Sequence, residues 1–207
     1  MRTLLITGFG PFPTAPFNPT AMLVRRLARE YRPAVTDVRI VSHVFRTSYA
    51  AVDDDLPVLI RKHRPDAILM FGLAARTPFV RIETRARNAL ALLPDVSGQS
   101  LRRHTIVKGG PSAMALPARA RHLFAVSRAA RIPLVVSRDA GRYLCNYLCW
   151  RAAEAAVRDG PRIASFVHVP PVARFARRPG QQRRLTFDDL SRAGSRFLVA
   201  VATAARR

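Results

Sequence analysis

Apolar and polar positions along this chain fall into two alternating periods. Short apolar runs at residues 2–7, 38–43, 67–71, 134–137 and 163–169 are bounded by Gly, Pro or charged residues and predict strands, those at 67–71 and 134–137 buried. Between them, apolar residues recur at helical spacing. Thr20 is expected to cap a helix over residues 20–31, with Met22, Leu23, Leu27 and Ala28 on one face. Ser48 starts a second helix reaching residue 63 through Val52, Leu56, Leu59 and Ile60, where Pro57 argues for a kink or a late start. Further helices are predicted over 117–130, 142–158 and 187–205. Residues 79–88 alternate strictly. Phe79, Arg81, Glu83, Arg85 and Arg87 share one strand face, and Val80, Ile82, Thr84 and Ala86 the other. Residues 94–112 form a long polar loop region with room for a hairpin. Strands alternating with helices predict an α/β fold, a sheet covered on both faces; without repeat or linker, residues 1–207 read as one domain.

Composition narrows the picture. The chain has 207 residues, 49% of them hydrophobic, which is enough to bury a core and excludes disorder. No apolar run approaches the roughly 18–20 residues of a membrane span. The N-terminus reads as a strand rather than a signal peptide, so a cytoplasmic protein with no membrane partner is expected. The formal net charge is +22, and all but Lys62 and Lys108 of the 35 basic residues are arginine. They are scattered over helix faces and termini, and no block interleaves them with aromatics. Specific nucleic-acid binding is therefore not expected; salt-sensitive adhesion to polyanions is.

Candidate chemistry is sparse. Cys145 and Cys149 are the only cysteines. Cys145 follows a strand end and the Gly141 turn, so it falls in the first turn of a helix, where unpaired N–H groups and the helix dipole favour a thiolate. Cys149 lies one turn deeper and reads as an inert packed thiol. His168 ends a strand, where ligands bind in α/β sheets. Glu83 is one of three glutamates and shares its face with three arginines, so it is either an ion-pair partner or the group that orients a catalytic imidazole. No His or Cys pair has metal-ligand spacing, and neither a dinucleotide fingerprint nor a P-loop is present, so no metal and no cofactor are expected. The loop after the first strand carries Phe9, Phe12 and Phe17, which either pack in the core or wall an apolar slot. The first 29 residues contain no acid. Such a slot suits a neutral ring better than an ammonium group.

Several blocks resemble the pyroglutamyl peptidase I family, the pyrrolidone-carboxylate peptidases. They are Thr7-Gly8-Phe9-Gly10-Pro11-Phe12 with Asn18-Pro19, Phe71-Gly72-Leu73-Ala74, Ile82-Glu83 with Asn88, Pro94-Asp95, and Gly110-Pro111 with Leu116-Pro117. The most specific are 140–147, Ala-Gly-Arg-Tyr-Leu-Cys-Asn-Tyr, and 166–170, Phe-Val-His-Val-Pro. The resemblance implies a three-layer α/β/α sandwich around a mixed, mostly parallel sheet, often assembled as a homo-tetramer. It implies Cys145 as nucleophile, His168 as base and Glu83 as orienting acid. Substrate contacts from Phe9, Phe12, Asn18, Leu73, Tyr143 and Leu144 are expected with it, the substrate being a peptide with N-terminal pyroglutamate. The chain departs from the family at Pro13-Thr14, Thr84 and Met114, and at Leu92-Leu93, where the family carries an arginine. Arg85 or Arg87 is expected to substitute for that charge, with reduced turnover and a bell-shaped pH profile. The competing readings are a different amidase on the same triad, or a weakly active binding protein that keeps the fold.

Overall fold

The computed structural model describes residues 1–12, 15–117, 122–125, 132–173 and 184–206. Six strands form one sheet in the order β2-β1-β3-β8-β4-β7. Its left part is parallel: β1 (Arg2–Phe9), β2 (Val38–Phe45), β3 (Ala67–Leu73) and β8 (Ile163–Val169) all run the same way. On the right, β4 (Val80–Glu83) pairs antiparallel with β8, and β7 (Leu134–Ser137) pairs parallel with β4. The sheet is therefore mixed and mostly parallel. The helices α1 (Pro19–Arg29) and α4 (Phe187–Ala205) contribute Leu23, Leu27, Leu190 and Phe197 to the core on one face. On the other face, α2 (Tyr49–His63) and α3 (Leu144–Val157) bury Val52, Leu56, Leu148 and Trp150 against Leu5, Met70 and Phe166. Burial of these two apolar layers supplies the main driving force for the sandwich.

Several boundaries differ from the expectation, each for a physical reason. Asn18, not Thr20, caps α1: its side chain accepts from Thr20 N–H at 3.1 Å and donates to Gly10 C=O at 3.0 Å. Thr20 instead turns its hydroxyl back to the strand and accepts from Phe9 N–H at 3.0 Å. Ser48 does cap α2, accepting from Ala51 N–H at 3.2 Å, and the helix runs through Pro57 without a late start. The helix expected over 117–130 falls largely outside the described residues, of which 122–125 are helical.

The strictly alternating stretch is two strands, not one. After Glu83 the chain leaves the main sheet, and β5 (Arg85–Arg87) pairs antiparallel with β6 (Ala113–Ala115). Val80 and Ile82 bury in the layer of α1 and α4, whereas Ala86 buries in the layer of α2 and α3. The alternation is interrupted at Thr84, whose N–H and hydroxyl both donate to Ser137 C=O, at 2.9 and 2.8 Å. Residues 88–112 are thus the excursion of a β5–β6 hairpin. The second strand expected to be buried, β7, lies at the sheet edge, so Val135 and Val136 are 39% and 47% exposed.

Because Asn18 both caps α1 and anchors the preceding loop, Asn18→Ala should lower unfolding stability by about 1 kcal/mol. Urea denaturation of the two proteins checks this; an unchanged midpoint would show that the cap carries no net stability.

Candidate active site

The sheet register brings the chemistry together. His168 sits near the end of β8, level with Gly72 on β3 and with Arg81 on β4. Paired residues share a face, so Gly72, His168, Phe166, Arg81 and Glu83 all present to the side covered by α3. His168 Nδ1 lies 2.8 Å from Glu83 Oε1. Glu83 is fully buried and His168 nearly so. Above Gly72 lies the Cys145 thiol: a Cβ on Gly72 would stand 2.8 Å from Sγ and 2.6 Å from the Phe166 ring. Glycine is required there because the sulfur occupies the space a side chain would take. Across the sheet the order is the phenylalanine loop on β1, Cys145 over β3, His168 on β8, Glu83 and Arg81 on β4, and Ser137 on β7.

Cys145 is the second residue of α3, as its spacing from Gly141 implies. Gly141 takes φ +85°, a turn conformation that glycine adopts without penalty. Tyr143 occupies the N-cap without a side-chain cap bond, and the first helical turn holds no acid. The first intrahelical bond runs from Tyr147 N–H to Tyr143 C=O at 2.9 Å, which leaves the preceding N–H groups available. Asn146 locks this helix start to β5: it accepts from Arg87 N–H and donates to the carbonyls of Arg87 and Ala89, at 2.8, 2.8 and 3.1 Å.

The electrostatics overturn one expectation. Burial and the neighbouring Glu83 carboxylate push the Cys145 thiol up to about 12, and the opposing pulls of Arg81 and the backbone N–H are smaller. Burial and Glu83 thus oppose the pull of the helix start on the thiol. Burial likewise pushes the His168 imidazole below its ordinary value, against the pull of Glu83. For Glu83, burial favours the neutral acid, but His168, the Ser137 hydroxyl and Arg81 outweigh it and hold the carboxyl below its ordinary value. The resting site is thus an ionised carboxylate, a neutral imidazole and a neutral thiol. Since the carboxylate can only accept, Nδ1 carries the imidazole proton and Nε2 is left as the base. Cys149 is fully buried and burial holds its thiol well above its ordinary value, in keeping with a packing role.

The other candidate residues divide. Phe9 is buried against Phe45, ring centroids 5.9 Å apart, and Leu144 is also buried in the core. Asn18 spends its amide on the α1 cap. Phe12 is half-buried in the loop after β1, where it bridges to Ala15, Leu73 is half-buried at the end of β3, and the Tyr143 hydroxyl donates to Pro94 C=O at 2.8 Å. Asp95 is structural: its carboxylate accepts from the N–H groups of Tyr49, Ser97 and Gln99. Neither arginine expected to replace the family charge enters the site. Arg85 donates to Arg138 C=O and Arg87 pairs with Asp139. The cation actually present is Arg81, which donates to Glu83 Oε1 from Nε and Nη2 at 3.0 and 2.8 Å. The strand alternation places Arg81 on the Glu83 face as an ion-pair candidate, while only Arg85 and Arg87 are expected from the sequence to supply the family charge. A cavity of about 490 Å³ opens beside His168, lined by Arg81, Val135, Ser137, Asp139 and Gly141. A larger one, about 860 Å³, lies between the C-terminal ends of α2 and α3, around Arg64 and Arg158, at the end of β3 and β8 opposite His168.

A family model, Pyroglutamyl peptidase, matches residues 2–182 of this chain. The chain belongs to the pyroglutamyl peptidase family. Pyrrolidone-carboxylate peptidase of Deinococcus radiodurans is 33% identical over 179 residues, 85% of this chain and 81% of that one. Its counterpart from Thermococcus kodakarensis is 31% identical over 169 residues, 81% and 80% of the two chains. Among solved structures, the pyrrolidone carboxyl peptidase of Thermus thermophilus aligns with a TM-score of 0.80 at 31% identity over 94% of this chain and 98% of that one. That of Thermococcus litoralis shares the fold, with a TM-score of 0.87 at 23% identity over 100% and 96%. As a pyroglutamyl peptidase family member the chain is a hydrolase of the cysteine peptidase class. Among the described residues no helix is long and apolar enough to cross a membrane, and no three His, Cys, Asp or Glu side chains cluster as a metal site.

The Gly72 contact yields a direct test. Gly72→Ala should displace the thiol and cut turnover by roughly 10², because its methyl group would overlap Sγ. Activity and thermal melting measured together check this. Full activity in a well-folded variant would show that Sγ does not rest on Gly72.

Proposed function

We propose that this chain is a cytoplasmic cysteine peptidase that hydrolyses the amide bond following an N-terminal pyroglutamyl residue. Cys145 is the nucleophile, His168 the general base and acid, and Glu83 the orienting carboxylate. The observation that carries this reading is the 2.8 Å bond from His168 Nδ1 to buried Glu83, made on the residue paired with Gly72, over which Sγ sits.

The neutral resting pair dictates the order of events. As Sγ attacks the substrate carbonyl, its proton passes to His168 Nε2, and the imidazolium is stabilised by Glu83. The N–H groups at the start of α3, which precede its first intrahelical bond, serve as donors to the developing oxyanion. His168 then gives the proton to the departing amine, the C–N bond breaks, and a thioester remains on Cys145. Water attacks the thioester with His168 again as base, releasing pyroglutamate and the free thiol. The substrate class follows from the relatives' activity and from a loop without carboxylates between β1 and α1, which offers no partner to a free ammonium group. The proposal extends to a homo-oligomer, as the resemblance implies.

Chromogenic pyroglutamyl, prolyl and alanyl amides compared side by side test the function. Cleavage of the first alone is expected, abolished by Cys145→Ala and largely kept by Cys149→Ala. Equal cleavage of the prolyl amide would overturn the neutral-ring specificity, since the two rings match in size and differ in charge.

The pH profile should follow the neutral pair rather than the bell expected from the sequence. Activity requires neutral His168, whose affinity for protons is lowered, so kcat/KM should rise through a limb below the ordinary imidazole value near 6.5. With the thiol near 12, no alkaline limb should follow through the mildly alkaline range. A bell falling just above neutrality would indicate a preformed thiolate–imidazolium pair instead.

A further inference from the structure

Three arginines from neighbouring strands converge on one short turn. Residues 137–141 carry the chain from β7 toward the start of α3. Arg81 Nη2 donates to Asp139 C=O, Arg85 Nε to Arg138 C=O at 2.8 Å, and Arg87 pairs with the Asp139 carboxylate at 2.9 Å. The turn is also braced internally: Asp139 N–H donates to Ser137 Oγ and Gly141 N–H to Asp139 Oδ1. Of the three, only Arg81 reaches the triad as well. Its side chain is 22% exposed and lines the cavity beside His168.

The geometry at Glu83 differs from that of an ordinary ion pair. A guanidinium fork normally meets a carboxylate with two parallel bonds, one to each oxygen. Here Nε and Nη2 both go to Oε1, the same atom that takes His168 Nδ1–H. Arginine and imidazole therefore share one acceptor, and the positive charge stands on the His168 side of the carboxylate. We propose that Arg81 is a positioning residue: one guanidinium ties the carboxylate that orients His168 to the turn that delivers Cys145. This rests on the peptidase reading above and adds a group to its machinery.

Among the described residues, the charged and titratable groups around the imidazole are Arg81 and Glu83 from β4, Cys145 from α3 and, across the adjoining cavity, Asp139 of the 137–141 turn; β3 presents Gly72 at that level. Glu83 attracts a proton to His168 and Arg81 repels it, in the same sense as the direction of the His168 shift. Removing Arg81 deletes the repulsion and returns Oε1 wholly to the imidazole. His168 should then hold its proton to higher pH. A lysine keeps the charge but cannot span Glu83 and Asp139 with a planar fork.

The test uses Arg81→Gln and Arg81→Lys in the full-length protein, with thermal melting as a check of folding. His168 is titrated through its ring C–H signals by NMR, and kcat and KM are measured on a pyroglutamyl amide. In Arg81→Gln the His168 titration and the acid limb of kcat/KM should both move to higher pH, with kcat down by roughly 10–100-fold and KM little changed. In Arg81→Lys the titration should stay near that of the parent while kcat falls. An unmoved titration in Arg81→Gln, or a lysine variant with full kcat, would reduce Arg81 to a structural ion pair. Should the glutamine variant not fold, the lysine variant alone decides the positioning role. The NMR titration needs no substrate. Failure to cleave pyroglutamyl amides would therefore overturn the peptidase reading without obscuring this one.

Discussion

A fully buried, ionised carboxylate is the constraint on which the site depends. Glu83 has no exposure to water, and an isolated charge so placed would be neutralised or expelled. It is retained because the sheet aims donors at Oε1, His168 from the antiparallel neighbour β8 and Arg81 two residues away on its own strand, while Oε2 is buried without a hydrogen-bond partner among the described residues. The reversal of strand direction at β4 achieves this. An antiparallel β4 sets Arg81 level with His168 and Glu83 level with Phe166, so both charges share the imidazole's face. Removing any one donor would leave the others to satisfy a charge that cannot reach solvent.

The same burial governs the nucleophile. Sγ rests over the backbone of Gly72, close to the Phe166 ring, with the Cys145 side chain half-buried, so part of the water that would stabilise a thiolate is displaced. A helix N-terminus offers at most a partial positive charge, and its effect fades within one turn. Desolvation and the nearby carboxylate exceed it. The site is therefore built for proton transfer during attack rather than for a standing ion pair. His168 is arranged for that task, with Nδ1 fixed by Glu83 and Nε2 left free to act as base.

Some motif residues turn out to support the frame rather than the chemistry. Asn146 welds the start of α3 to β5, Asp95 holds the loop at 95–99 to the start of α2, and Asn18 joins α1 to the loop after β1. They act on the site by fixing the backbone around Cys145 and the phenylalanine loop. Leu92 and Leu93, which stand where a family arginine was expected, are 54% exposed each, on a segment joined to Arg142 C=O through Ala91 N–H. The charge missing there has no replacement from Arg85 or Arg87, both of which are committed to the 138–139 turn.

The alternation of apolar periods was sufficient for the layered α/β fold, because each strand run and each helical stripe records locally which face must be buried. It also located Cys145 at a helix start and His168 at a strand end, since a Gly turn and a short apolar run are local signals. Three features were beyond its reach. The break at Thr84 came from hydrogen bonds to Ser137, more than fifty residues away, and a period-two pattern reads the same on either side of such a break. The exposure of β7 came from its place at the sheet edge, which strand composition does not encode. The protonation of the site came from desolvation and from the placement of two neighbouring charges, Glu83 and Arg81, quantities that exist only once Glu83, His168, Arg81 and Cys145 have been brought onto one face. Local sequence fixes which groups are available, whereas burial and distance, which are tertiary properties, decide how tightly each holds its proton.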